Sequence, residues 1–203
     1  MPVQRGDPPG VQLSSQEQQR AAALKGERCT SFRRSRLWMR RCLADRLGMA
    51  PADVPLMAPP GAPPQLPAGW GWISLSHCPD ATVVVWSERP VGVDVERLDR
   101  RFAASALASR FFASDDGQEL RSLQGEALRR AVLRQWVAKE AAIKWQRGTL
   151  ARDLAQWSCR ADSRMAHHSR CQTAVPICRM ELLETWLVAV AGADGQIGPA
   201  CLA

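Results

Sequence analysis

The chain has 203 residues, 46% hydrophobic and 23% charged, a balance that excludes a disordered protein or a multidomain assembly and calls for one compact unit or two small halves sharing a core. Seven cysteines without CxxC spacing argue against a disulfide framework, Met1 to Asp7 has no apolar signal core, and no apolar run nears the ~20 residues of a membrane helix, so a cytoplasmic protein without a membrane partner is expected. The formal charge of +7 is local: residues 20–46 hold nine basic side chains against two acidic ones, and the remainder is neutral.

In chain order, residues 1–12 have no apolar periodicity and are expected to fray. Ser14 to Leu47 is helical in pattern, with a break near Gly26 and an apolar stripe of Leu37, Met39, Leu43 and Leu47 among arginines. Residues 50–69 carry seven of the fourteen prolines and read as a long ordered loop. Two strands, Trp72 to His77 and Ala81 to Trp86, flank a Cys78-Pro79-Asp80 turn and predict a hairpin. Val91 to Glu96 alternates cleanly enough to be a strand with one apolar and one polar face, and a boundary between two halves, 1–90 and 91–203, is placed before it. Short helices are expected over 102–124, a long helix from Glu126 to Arg147 ending at Gly148, and strand-like pieces from Trp157 to Val190, clearest at Thr185 to Ala191.

Three constellations could carry chemistry. Asp94 and Glu96 share a strand face with Cα atoms ~6.6 Å apart. Were their oxygens ~5 Å apart at an effective dielectric near 20, repulsion of about 3 kcal/mol would favour protonating one acid or binding a cation. An all-oxygen site of this kind suits Mg²⁺, although an isolated D-x-E pair also serves simply to keep a strand soluble. Next, Trp136, Glu140 and Lys144 follow i, i+4 spacing on the long helix, with Lys139 on the edge of that face. Such a face offers a third carboxylate to a metal and ammonium groups to phosphates, or else an ordinary surface salt bridge. The chain has 24 Arg and three Lys, yet two of those lysines lie five residues apart here, where a compact ammonium differs from a guanidinium fork. Third, Ser74-Leu75-Ser76-His77 ends a strand; Ser76 and His77 could reach a phosphate, whereas a Ser-His nucleophilic pair is disfavoured because adjacent strand residues face opposite ways.

Together, Val91-Gly92-Val93-Asp94-Val95-Glu96, a gap of 39 residues, and Trp136-Val137-Ala138-Lys139-Glu140-Ala141-Ala142-Ile143-Lys144 resemble the two signature blocks of the 4′-phosphopantetheinyl transferase superfamily. Ser74 to His77, Arg110-Phe111-Phe112 and Ser35 to Arg40 follow in family order. The resemblance implies an α+β protein of two similar halves related by a pseudo-twofold axis, in the monomeric Sfp-like branch, with coenzyme A in the cleft between them. It implies transfer of the phosphopantetheine arm of coenzyme A to a serine of an apo-acyl carrier protein, releasing adenosine 3′,5′-bisphosphate. Asp94, Glu96 and Glu140 would hold Mg²⁺, and Glu140 or a water on the metal would deprotonate the serine. Lys139 and Lys144 would face the diphosphate, Ser76 and His77 the coenzyme A phosphates, and Arg36, with Arg28, the 3′-phosphate or adenine.

Some positions depart from the family pattern: Val137 where Ser, Thr or Cys is frequent, Asp116 where a Glu follows the Phe-Phe pair, and Gly61-Ala62-Pro63 without the basic residue found after that glycine. Competing readings are an arginine-rich helix over 28–46 that binds nucleic acid, a catalytically silent homologue that binds coenzyme A or a carrier, and a zinc site from Cys159, His167, His168, Cys171 and Cys178. The first leaves the acid and lysine blocks unexplained, so no nucleic-acid partner is expected.

Overall fold

The structure is a computed structural model; it describes residues 6–57, 62–112, 114–192 and 201–202. Helix α1 (Ser15–Ala22) begins at a capping box: the Ser14 hydroxyl accepts from the Glu17 N–H, and the Glu17 carboxylate accepts from the Ser14 N–H. Gly26, at φ 55°, opens α2 (Gly26–Leu47), so the expected break falls there. α2 is less solvated than its arginines suggest. Arg40 pairs with Glu17 at 2.8 Å, both side chains 3% exposed, and donates to the carbonyls of Pro51 and Val54. One buried guanidinium thus ties α1 and the proline-rich segment to α2. That segment closes through a Met57–Gln65 bridge; Gly61 lies outside the described residues.

The predicted hairpin forms from β1 (Trp72–Cys78) and β2 (Ala81–Ser87), with a two-residue turn because Cys78 already pairs with Ala81. β8 (Cys201–Leu202) adds to the other side of β2, giving the order β1-β2-β8. The second sheet runs β3-β7-β6-β5-β4, from β3 (Gly92–Arg97), β7 (Trp186–Ala191), β6 (Thr173–Leu182), β5 (Met165–His168) and β4 (Trp157–Ser158), and is antiparallel throughout. Between β3 and β4 the chain forms α3 (Ala104–Phe111), α4 (Ser114–Leu120), α5 (Gly125–Trp145) and α6 (Leu150–Asp153). This is the expected α+β class. No helix among the described residues is long and apolar enough to cross a membrane.

Each sheet carries one long helix. Met39 and Leu43 of α2 pack on Ile73 and Val84; Val137, Ala138 and Ala141 of α5 pack on Leu187, Ala189 and Ala191. Between the sheets lies a valine-rich cluster of Val83, Val93, Val95, Val188 and Val190. Because strand side chains alternate, sending Val93 and Val95 into that cluster turns Asp94 and Glu96 toward α5. The sheets meet at two edges, β1 and β3, where the Ser74 hydroxyl accepts from the Val93 N–H at 3.0 Å. At the far end Asp80 of the hairpin turn accepts from Trp186 Nε1 at 3.1 Å and pairs with Arg97.

Candidate active site

β3 and α5 lie unusually close. A Cβ on Gly92 would stand 2.0 Å from the Ala141 carbonyl oxygen and 2.4 Å from the Trp145 nitrogen. The glycine before the acids, with small Ala141 and Ala142 opposite, therefore sets how near the Asp94 and Glu96 face comes to Glu140 and Lys144. Lys144 Nζ donates to Asp94 Oδ1 at 2.7 Å and to Ser76 Oγ at 2.9 Å, and Ser76 Oγ donates to the same Asp94 oxygen at 2.7 Å. Strand, helix and hairpin thus meet at one carboxylate oxygen.

Asp94 is 3% exposed, and its Oδ2 is buried without a hydrogen-bond partner. Glu96 pairs with Arg100. The Glu140 carboxyl is pushed up to about 7, first by burial and then by repulsion from Asp94, with Glu96 adding and Lys144 and Arg100 opposing. Burial also raises Glu96, helped by Asp94. Three carboxylates face two cations, leaving the cluster short of positive charge. A hard divalent cation suits these oxygen donors, and the orphaned Asp94 oxygen with the raised Glu140 carboxyl fits its arrival. Among the described residues no three such side chains already stand as a metal-binding group; the Lys144 ammonium rests on Asp94.

The other predicted residues are dispersed. Ser76 belongs to the cluster. His77, next on β1, is exposed and faces the opposite way. Arg36 is buried, stacked 4.9 Å over the Phe32 ring, its Nε without a hydrogen-bond partner, and burial lowers its pKa. Arg28 is exposed on the first turn of α2. Lys139 differs most from expectation. It is fully buried, paired with Asp116 at 2.5 Å and 4.1 Å above the Phe112 ring. One residue from Glu140 is about 100° around a helix, which turns Lys139 toward α4 rather than the acids. Asp116 also accepts from the Ser158 hydroxyl and the Cys159 N–H, both at 2.9 Å. Asp116→Asn keeps an acceptor for these but strands the buried ammonium, and should cost about 3 kcal/mol or more by urea unfolding.

Two residues with roles here escaped the sequence reading. Ser74 satisfies the β3 edge, and Arg100 pairs with Glu96; Arg100 follows Glu96 by four residues, but outside a helix that spacing is no signal. Among the described residues the cysteines and histidines of the zinc reading form no metal-binding group: Cys159 lies against Arg179 at 2.8 Å, while His168 faces Asp153, packs edge-on to Trp157 and accepts at Nδ1 from the Cys171 N–H. A cavity of about 640 Å³, lined by Leu47, Gln65, Trp70, Trp72, Trp86 and Arg147 among others, opens at the start of β1. Ser76 lies four residues further on, ~13 Å along the strand, and none of the predicted site residues lines that cavity.

Residues 90–191, half of the chain and the span that holds Asp94, Glu96, Glu140 and Lys144, match the 4′-phosphopantetheinyl transferase superfamily as a family profile. Among individual relatives, a Synechocystis sp. protein, slr0495, whose name assigns it provisionally to the 4′-phosphopantetheinyl transferases, is 31% identical over 150 residues, covering 70% of this chain and 61% of its own length. The 4′-phosphopantetheinyl transferase psf-1 of Bacillus pumilus is 32% identical over 87 residues, 43% of this chain and 36% of its own. The chain therefore spans less than two thirds of either relative. With the family profile spanning the strand and the helix that build the acid cluster, the chain belongs to the 4′-phosphopantetheinyl transferase superfamily.

Proposed function

We propose that the protein transfers the 4′-phosphopantetheine arm of coenzyme A to a serine hydroxyl of an apo-acyl carrier protein. What supports this reading is the contact of Asp94 with Lys144 and Ser76, together with a Glu140 carboxyl that is raised by burial and by Asp94 and Glu96. In this reading 1–90 and 91–203 are two similar halves, each with a sheet and a long helix, although β8 of the second adds to the sheet of the first, and coenzyme A lies between them. Asp94, Glu96 and Glu140 would hold Mg²⁺, which when bound supplies charge neutralisation of the diphosphate.

The chain's own groups do the rest. Lys144 and Ser76 meet the diphosphate, where the negative charge of the leaving group develops. Glu140, or a water that the metal would hold, takes the proton of the incoming serine. The serine oxygen bonds to the phosphorus that carries the pantetheine arm, the bridging P–O bond breaks, and adenosine 3′,5′-bisphosphate leaves. Arg36, with Arg28, is assigned to the 3′-phosphate or adenine, and His77, with Ser76, to the coenzyme A phosphates. Lys139, held by Asp116, serves the diphosphate only by fixing α5. The basic α2 segment attracts an acidic carrier, and the protein works as a cytoplasmic monomer.

The test is intact-mass spectrometry of apo-carrier proteins incubated with the protein, coenzyme A and Mg²⁺. The expected result is a carrier heavier by one phosphopantetheine, together with adenosine 3′,5′-bisphosphate. A panel of fatty-acid, polyketide and peptide carriers left wholly unmodified would overturn the reading.

A further inference from the structure

Lys144 does more in this structure than wait for a phosphate. Its ammonium lies 2.7 Å from Asp94 Oδ1, the same oxygen that accepts from Ser76 Oγ at 2.7 Å. Both accepting directions of that oxygen are therefore taken. The second oxygen of Asp94 is buried and has no hydrogen-bond partner. At 3% exposure Asp94 is unable to draw its counter-charge from solvent, so the lysine is its nearest neutralising group. The Lys144 side chain, by contrast, is 31% exposed and carries its charge on a flexible four-carbon stem, free to swing away.

We propose that Lys144 is the resident counter-cation of Asp94 and competes with a divalent metal ion for it, so that the diphosphate, by drawing the ammonium away, opens Asp94 to the metal. This rests on the function proposed above. A divalent cation reaching the three acids while the ammonium remains would meet a like charge at hydrogen-bond distance from its own ligand. When a diphosphate arrives, its oxygens offer Lys144 another anionic partner, and Asp94 Oδ1 becomes available. Binding of metal and of coenzyme A is then coupled, and by linkage each strengthens the other by the same factor. Arg100, 38% exposed and paired with Glu96, leaves the second acid neutralised in the same provisional way.

The coupling is read by titrating Mn²⁺ into the full chain and following free Mn²⁺ by electron paramagnetic resonance, with and without saturating coenzyme A. Without coenzyme A, Lys144→Met is expected to bind Mn²⁺ at least tenfold more tightly than the wild type, although the same variant is impaired in transfer. In the wild type, coenzyme A should tighten Mn²⁺ by at least tenfold, and in Lys144→Met that gain should shrink. Ser76→Ala, which removes the acceptor that steadies the ammonium, keeps the test available if Lys144→Met does not fold; it should tighten Mn²⁺ severalfold. Equal Mn²⁺ affinity in wild type and both variants, with coenzyme A still tightening the metal, overturns this inference and leaves the proposed function standing. No Mn²⁺ bound by any of the proteins even with coenzyme A overturns both.

Discussion

Glu140→Gln should lower the rate of phosphopantetheinyl transfer by about a thousandfold, the scale expected when a positioned general base is lost, while the protein stays folded. Glutamine keeps the size of the side chain but removes the proton acceptor and one metal ligand. Its effect on stability has the opposite sign. The Glu140 carboxyl moves from its ordinary 4.5 to about 7 because burial and Asp94 disfavour the charged form. Between those two pH values the unfolded chain has released this proton and the folded chain retains it. Without metal, stability therefore falls as pH rises through that window, by no more than about 3 kcal/mol. Glu140→Gln should flatten this decline and be the more stable protein at pH 8. Urea unfolding at pH 5 and pH 8 with chelator checks the sign; an unchanged pH slope, or undiminished transfer, removes Glu140 from the role given to it.

Gly92→Ala is expected to be at least as damaging, through geometry alone. The added methyl would meet the Ala141 carbonyl oxygen and the Trp145 backbone, neither of which is a flexible side-chain end that can turn aside. β3 and α5 would have to separate, against the packing of Val137, Ala138 and Ala141 on the second sheet. A loss of about 3 kcal/mol or more is expected, measurable by thermal or urea unfolding. Any protein that remains folded should show a transfer defect larger than its stability loss explains, since the separation also parts Asp94 from Lys144. Normal stability with normal transfer would mean that the close approach does not set the site.

The contrast between these positions shows what can be read from residues alone. The alternation of Val93, Asp94, Val95 and Glu96 has one stable reading, a strand with acids on one face, and the i, i+4 spacing of Glu140 and Lys144 places both on one side of α5. Local periodicity is therefore enough to face Asp94 with Lys144. Lys139 adjoins Glu140 in sequence, on the edge of the same face, but a single helical step rotates it away, and its partner Asp116 comes from a different helix. No local pattern reports that pairing. Likewise, nine basic residues in 20–46 suggest a solvated face, yet Arg40 is buried because Glu17, 23 residues earlier, supplies its counter-charge. Ser74 and Ser76 both bond to β3 from one face of β1, a role that depends on how two sheets meet and that no local pattern reports.

In the proposed function three carboxylates from β3 and α5 act as one metal site in the service of a diphosphate. Counting bound Mn²⁺ in the presence of coenzyme A tests it most directly, for the wild type and for Asp94→Asn, Glu96→Gln and Glu140→Gln in turn. One ion per chain is expected in the wild type, and a large loss of affinity in each variant. Wild-type affinity in all three would contradict it.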